Sequence, residues 1–357
     1  MMTILARYIS KTIVAATGLA ALIITSVLML MLTLGEFKNM GEGDYGLSDA
    51  AYYVLLRLPN ELYQFSPMLI LLGSIIGLSI LSSNREIAVM RASGFSTKKI
   101  IASVLMAALI LIMCISIIGE WIGPNLSYRA EVNKETAQNA GQAVVTTAGI
   151  WLHVDDNFIH VQRVIGRQLA EGVTRYEFDN ERRLQAAYYA KSLSFQQNQW
   201  RLHDVVKTSF YNERTKSQYF PQATWNLKFN PNLLNVGLVE PNEMSLPKLA
   251  KFVNYLEKNG LQANEYKFDF WQRIFKPLAS LVMVFLAIPF VLGAMSASTM
   301  GWRILVGILV GFAFFILNAV LGQLSVVYQV PTILAALLPP LIFGIFGIFL
   351  SRRLIKN

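Results

Sequence analysis

Six apolar windows, each long enough to cross the hydrocarbon core of a bilayer, fix what this chain can fold into. A spanning helix needs about 20 predominantly apolar residues, because lipid offers the backbone no hydrogen-bond partner and the helix supplies its own. The windows run over Ile13–Leu34, Leu62–Ser82, Ile100–Ile122, Phe275–Leu292, Ile304–Val327 and Thr332–Leu350. Between the third and the fourth lies a polar region of about 140 residues, enough for one folded domain. Composition agrees: 54% of the 357 residues are hydrophobic and only 15% charged, which excludes an ordinary soluble protein. The first window exceeds the apolar core of a signal peptide and no small-residue cleavage site follows it, so it reads as a retained anchor.

Lysine and arginine set the orientation. Arg7, Lys11, Arg85, Arg91, Lys98, Lys99, Arg303, Arg352, Arg353 and Lys356 all fall on one side if the chain crosses six times. The short connection on the other side, 35–61, carries Glu36, Glu42, Asp44, Asp49 and Glu61 against only Lys38 and Arg57. The positive-inside rule then puts both termini in the cytoplasm and the central domain outside it. Arg273 and Lys276, at the outer start of span four, run against the rule, and snorkelling toward the headgroups accommodates them. The net charge of +9 is therefore mostly a topology signal. The basic residues form no patch interleaved with aromatics, which speaks against nucleic-acid binding. The one cysteine, Cys114, lies in an apolar window and permits no intrachain disulfide.

The central region reads as β. Ile150, Leu152 and Val154 alternate with Trp151 and His153, Asp155-Asp156-Asn157 suits a hairpin turn, and 158–164 supplies the return strand. Runs at 173–178, 188–195, 200–206 and 219–229 extend the pattern, the last interrupted by Pro221. Short strands joined by polar turns predict a β-sandwich or jelly roll. A helix from Ser245, with Pro247 in its first turn and Gly260 as its stop, closes the region. The predicted architecture is an α-helical membrane protein with six transmembrane helices and an inserted β-jelly-roll domain. Residues 1–124 hold spans one to three, 125–268 the β domain with its amphipathic helix, and 269–357 spans four to six. Pro67, Pro289 and Pro339-Pro340 fall inside spans two, four and six and predict local breaks, either static or hinge-like.

Motifs for chemistry are sparse. The sequence contains no Gly-Lys pair, so the phosphate-cradling G-x-x-x-x-G-K-[ST] loop is absent, and if ATP drives this protein another chain binds it. His153, His160 and His203 lack a clear further ligand for a metal, and no G-x-S-x-G supports a hydrolytic triad. No series of Asp, Glu or His crosses the midplane, which argues against a proton-coupled transporter. Glu120 lies at the outer end of span three with Arg129 just beyond. It either faces a cavity, pairs with a cation, or sits at the interface beside Trp121.

The connector 84–99 is better defined than a solvated turn. Asn84 suits an N-cap, Glu86 suits the positive end of the helix dipole, and Ile87, Ala88, Val89, Met90 and Ala92 give an apolar body. Gly94 is a natural stop, Phe95 follows as an exposed contact, and Ser96 or Thr97 caps span three. A short helix over 84–95, fixed to the ends of two spans, can take a push from a soluble partner.

The string Arg85-Glu-Ile-Ala-Val-Met-Arg-Ala-Ser-Gly94, within the layout of three spans, β domain and three spans, resembles the lipopolysaccharide export permeases of the LptF/LptG family. Gly119-Glu-Trp121, Gly149-Ile-Trp-Leu152 and Asn180-Glu-Arg-Arg-Leu184 favour the G-type branch over the F-type paralogue. The resemblance implies a subunit of an ABC transporter in a Gram-negative inner membrane, paired with LptF on a dimer of the ATPase LptB. LptC and LptA would continue the route as a periplasmic bridge. It implies no cofactor on this chain, with ATP and Mg used by the ATPase. Carried over by position, Glu86, Met90, Arg91, Ala92, Gly94 and Phe95 would seat the ATPase, and span one would form a lateral gate with span five of the partner. Candidate contacts for lipid headgroups are Lys38, Glu120, Arg129, Arg273 and Lys276, of which Lys38 sits among acids. Leu152 and Val161 would face acyl chains inside the β domain. The alternative is a mechanotransmitting ABC permease that moves no substrate and actuates a periplasmic partner. A scaffold for envelope assembly would need no capped helix between spans two and three.

Overall fold

The computed structural model describes residues 4–138, 144–146, 150–154, 157–165, 169–179, 183–196, 199–211, 214–225, 241, 244–258, 262–295 and 298–356. Among them, six helical segments are long and apolar enough to cross a membrane: Ile4–Asn39, Ser66–Ser83, Thr97–Gln138, Asn264–Gly293, Met300–Val327 and Thr332–Arg352. The first is α1 (Ile4–Glu36) with a short 3₁₀ extension. The expected second window is divided between α2 (Leu47–Gln64) and α3 (Ser66–Ser83). The break falls at Phe65, and Pro67 therefore opens α3 instead of kinking a span. At a helix start the missing proline N–H is an unbonded donor anyway, so the residue costs nothing there.

The bundle forms around α3. It is apolar on every side and almost wholly buried, as a helix without a polar face must be. Gly73 and Gly77 let α1 approach closely. A Cβ on Gly73 would lie 2.6 Å from the Thr17 Cα, and one on Gly77 would lie 2.7 Å from the Ile13 Cδ1. Small residues four apart bring backbones together where packing, not water exclusion, drives association. After α3 come α4 (Glu86–Ala92), α5 (Thr97–Ile117), a π-helical stretch Ile118–Ile122 and α6 (Gly123–Gln138). Span three thus continues without interruption into a stalk that ends near the first strand.

The β domain comprises β1 (Val144–Thr146), β2 (Ile150–Val154), β3 (Asn157–Ile165), β4 (Leu169–Phe178), β5 (Leu184–Gln196), β6 (Gln199–Tyr211) and β7 (Arg214–Trp225). They form one antiparallel sheet in the order β1-β3-β4-β5-β6-β7, with β2 also on β3. The β2–β3 hairpin pairs up to Val154 and Asn157, so Asn157 belongs to the return strand, and Asp155-Asp156 of the expected turn lie outside the described residues. Pro221 is accommodated because β7 pairs only with β6 among the described strands.

The two layers expected of a jelly roll arise here by folding one sheet. Val161, Val173, Ala190 and Val205 form one cross-strand row, and Ala170, Leu193 and Leu202 form another. The rows are an odd number of residues apart, which in a flat strand would put them on opposite faces. Both rows are buried in the same core. The sheet turns over between them, where Gly172 (φ 62°) and Asp204 (φ 54°) take left-handed conformations. As a result Tyr188 meets Trp225 edge to face at 6.1 Å, although their partners on β6, Lys207 and Trp200, lie well apart.

The chain returns through α7 (Leu246–Lys258), which follows Ser245 as expected and buries Leu249, Phe252 and Leu256. Gly260, its expected stop, lies outside the described residues. Then follow α8 (Asn264–Pro289), a π-helical stretch Phe290–Ala294, α9 (Met300–Val327) and α10 (Thr332–Lys356). Pro289 marks the change of helix type: the Met295 N–H bonds to the Phe290 carbonyl at 2.9 Å, skipping one residue. Pro339 and Pro340 lie inside α10, which runs on as one helix.

Candidate functional site

The connector between spans two and three is anchored and capped. Its helix α4 begins after Arg85, which has φ 60° and occupies the N-cap position expected for Asn84. The Asn84 amide instead donates to Glu86 Oε1 at 3.0 Å. At the other end the Phe95 N–H bonds the Met90 carbonyl (2.9 Å) and the Gly94 N–H bonds the Arg91 carbonyl (3.1 Å), with Gly94 at φ 85°. That pairing is the Schellman stop, and it is why glycine stands there.

Burial divides α4 in a way the sequence reading did not. Met90 and Phe95, expected to seat a partner, are 5% and 8% exposed and join Ile87 in the core of the bundle. Hydrophobic burial on that face fixes α4 rigidly to the spans. Arg91, Ala92 and Gly94 stay exposed, together with Val89, which carries an apolar side chain into the open. Tyr8 of α1 places its hydroxyl beside the Glu86 carboxylate, so α4 also touches the first span. The contact surface available to a partner is therefore Val89, Arg91, Ala92 and Gly94, with Glu86 half-buried at its edge.

A second polar centre lies on the β-domain side of the bundle. Glu120, in the π-helical stretch of span three, accepts from Arg273 Nη1 at 2.9 Å, from the Tyr63 hydroxyl at 3.2 Å and from the Leu246 N–H at 2.9 Å. One carboxylate thus joins α2, α8 and the N-terminus of α7, where the helix dipole favours negative charge. Arg273 is nearly inaccessible at 5% exposure, and its guanidinium also faces the Tyr63 ring at 5.5 Å. Of the three readings of Glu120, pairing with a cation is the one the geometry supports. Lys276 lies 4.3 Å from the centroid of the same ring. Arg129 and Lys38 are exposed and are not gathered into this centre.

A third cluster, which the sequence reading missed, clasps the end of α1. Lys134 of α6 places its ammonium 2.9 Å from both oxygens of Glu36, which also accepts from Tyr45 (3.0 Å) and Asn39 (3.1 Å). Burial, with the Glu36 charge close by, pushes the Tyr45 phenol well above its usual range, so it remains a donor. Gly43 (φ 57°) packs against the end of α6, where a Cβ would fall 2.3 Å from the Gln138 carbonyl oxygen. The signal in the sequence was the acidic bias of 35–61; its partner lay beyond two further spans.

In the β domain, Val161 is fully buried in the core formed by β3 to β7, so an acyl chain reaches it only if the folded sheet parts. Leu152 pairs with Ile159 across β2 and β3, and its side chain lies outside the described residues. No group of three potential metal ligands occurs among the described residues.

Three spans, an inserted β domain, three further spans and a rigid capped helix between spans two and three define a multi-pass membrane permease. The family model for the lipopolysaccharide export system permease LptF/LptG matches residues 7–353, and this chain belongs to that family. It is 33% identical over 354 residues to the lipopolysaccharide export system permease protein LptG of Escherichia coli (strain K12), covering 98% of both chains. Against LptG of Haemophilus influenzae it is 30% identical over 355 residues, covering 99% of both. Both relatives carry the LptG name, in agreement with the G-type branch favoured by the motifs.

Proposed function

We propose that this chain is the membrane subunit of an ATP-driven lipopolysaccharide exporter, lying in the inner membrane with both termini and α4 in the cytoplasm. It pairs with an LptF-type permease, rests on a dimer of the ATPase LptB, and delivers lipid toward LptC and LptA in the periplasm. ATP and Mg are bound by the ATPase. The observation that carries this reading is α4: a capped helix rooted in the bundle core through Ile87, Met90 and Phe95 and presenting Val89, Arg91 and Ala92 outward, with Glu86 half-buried at the edge of that face. Rooted in this way, it moves with α3 and α5, and the Tyr8–Glu86 contact extends the same motion to α1.

The energetics suit this division of labour. Each lipid CH₂ withdrawn from the bilayer costs about 0.8 kcal/mol, so a many-chained lipid needs an external source of work. Replacing Glu86 by arginine should abolish ATPase co-purification and export while the chain still inserts at normal level. Retention of the ATPase and normal export by E86R would overturn the assignment of α4. Val89→Asp, on the same exposed face, should act alike, whereas Lys98→Gln, just beyond α4, should be silent.

A further inference from the structure

The outer face of the β domain lacks the charges that the water-facing side of a sheet ordinarily carries. One cross-strand row runs His160, Thr174, Tyr189, Val206 and Tyr219 over β3 to β7. Its members stand next in sequence to the buried row Val161, Val173, Ala190 and Val205, so they point away from the core. The next row is Phe158, Tyr176, Ala187, Thr208 and Ser217. Neither row holds an acid, a lysine or an arginine. The charged residues of the same segments, Arg175, Glu177, Lys207 and Lys216, alternate with them and take the other face. There Arg175 and Lys207 rest on the Tyr188 ring, 5.2 and 5.0 Å from its centroid.

The uncharged face presents rings and hydroxyls. Tyr189 is 48% and Tyr219 61% exposed, with Val206 between them. Two strand spacings set these tyrosines about 10 Å apart. The Tyr219 hydroxyl donates to Asp204 Oδ1 at 2.6 Å, which holds its ring, and the Thr208 and Ser217 hydroxyls lie 3.1 Å from each other. Charge returns only at the crease, where Asp204 and Lys191 are exposed.

Charge matching limits what can lie here. An anionic headgroup or a nucleic acid calls for cations, which both rows lack. Protein interfaces add arginine and methionine to their aromatics, and neither occurs in these rows. A neutral saccharide fits: its flat C–H faces lie on tyrosine rings, its hydroxyls bond threonine, serine and carboxylate oxygens, and it brings no charge to be matched. We infer that this face receives the sugar chain of the lipopolysaccharide, with separate sugar rings lying on Tyr189 and Tyr219. The inference rests on the export reading and adds a glycan-binding surface to it.

The test uses the full chain in its native membrane complex, with a photo-reactive phenylalanine analogue in place of Val206. An adduct with lipopolysaccharide is expected, falling roughly tenfold in cells whose lipid is cut back to its innermost sugars. Tyr189→Ser combined with Tyr219→Ser should lower the adduct by a similar factor, as loss of two ring contacts requires. Tyr219→Trp, which keeps a ring, should retain it. Sugar chains released from the lipid by mild acid should compete, and N-acetylglucosamine oligomers of the cell-wall type should not. An adduct with a protein, an adduct indifferent to glycan length or to the two tyrosines, or competition by the cell-wall oligomers alone overturns the inference. Export by E86R is read separately. If E86R loses export and no lipopolysaccharide adduct forms at position 206, the glycan face fails while the export reading stands. If E86R exports normally, the export reading itself fails.

Discussion

Single residues in this protein act by joining elements that the sequence keeps far apart. Glu120 and Arg273 are 153 positions apart, yet their contact ties spans three and four to the start of α7. Breaking a buried pair by removing one charge leaves the other uncompensated, a loss of about 3–5 kcal/mol. Glu120→Gln should therefore lower the melting temperature in detergent strongly, and Glu120→Gln combined with Arg273→Met should recover much of that loss. Equal melting of the single and double variants would show that the pair is not coupled. The sequence marked Glu120 as unusual, but its three open readings were resolved only by what stands opposite it in space. Phe95 teaches the reverse. Its position after Gly94 suggested exposure, whereas the Schellman stop turns the chain back and drops the ring into the core.

At the level of elements, α1 and α3 meet over Gly73 and Gly77, and any side chain at Gly73 must displace the α1 backbone. Gly73→Val should separate α1 from α3 and lower both thermal stability and export. A variant that melts and exports as the parent does would refute the close contact. Five of the six expected windows lie wholly within spanning helices, because length and hydropathy alone decide whether a segment can cross. The helix α2 was missed as an element. Its charges and Pro59 obscured a legible repeat, in which Ala50, Tyr53, Val54 and Leu58 share the buried face. The alternation of the strands was equally legible, but the crease that folds the sheet was not, since it reverses the inward face partway along β4, β5 and β6.

Across the whole molecule, the first span and the stalk of the β domain form one body. Glu36 is clasped by Lys134, the Asp44 N–H bonds the Ala137 carbonyl at 2.8 Å, and Gln138 donates to Glu42 at 2.6 Å. Cysteines at positions 44 and 137, in a chain with Cys114 replaced by serine, should form a disulfide on oxidation without loss of export, because the two already move together. Export blocked by oxidation and recovered with reductant would show instead that they part during the cycle. The same helix α1 thus has Tyr8 beside Glu86 of α4 near its start and Glu36 held by α6 at its far end.

The sequence by itself determined the crossings, the place of the β insertion, the capped connector and the family, because hydropathy, residue period and helix-stop chemistry are local properties. Tertiary structure decided which face of α4 is free, how one sheet makes two layers, and where Glu36, Glu120 and Lys276 find their neighbours. Those outcomes depend on which distant segments pack together, and a buried charge acquires its role only from the groups that packing brings within a few ångströms of it.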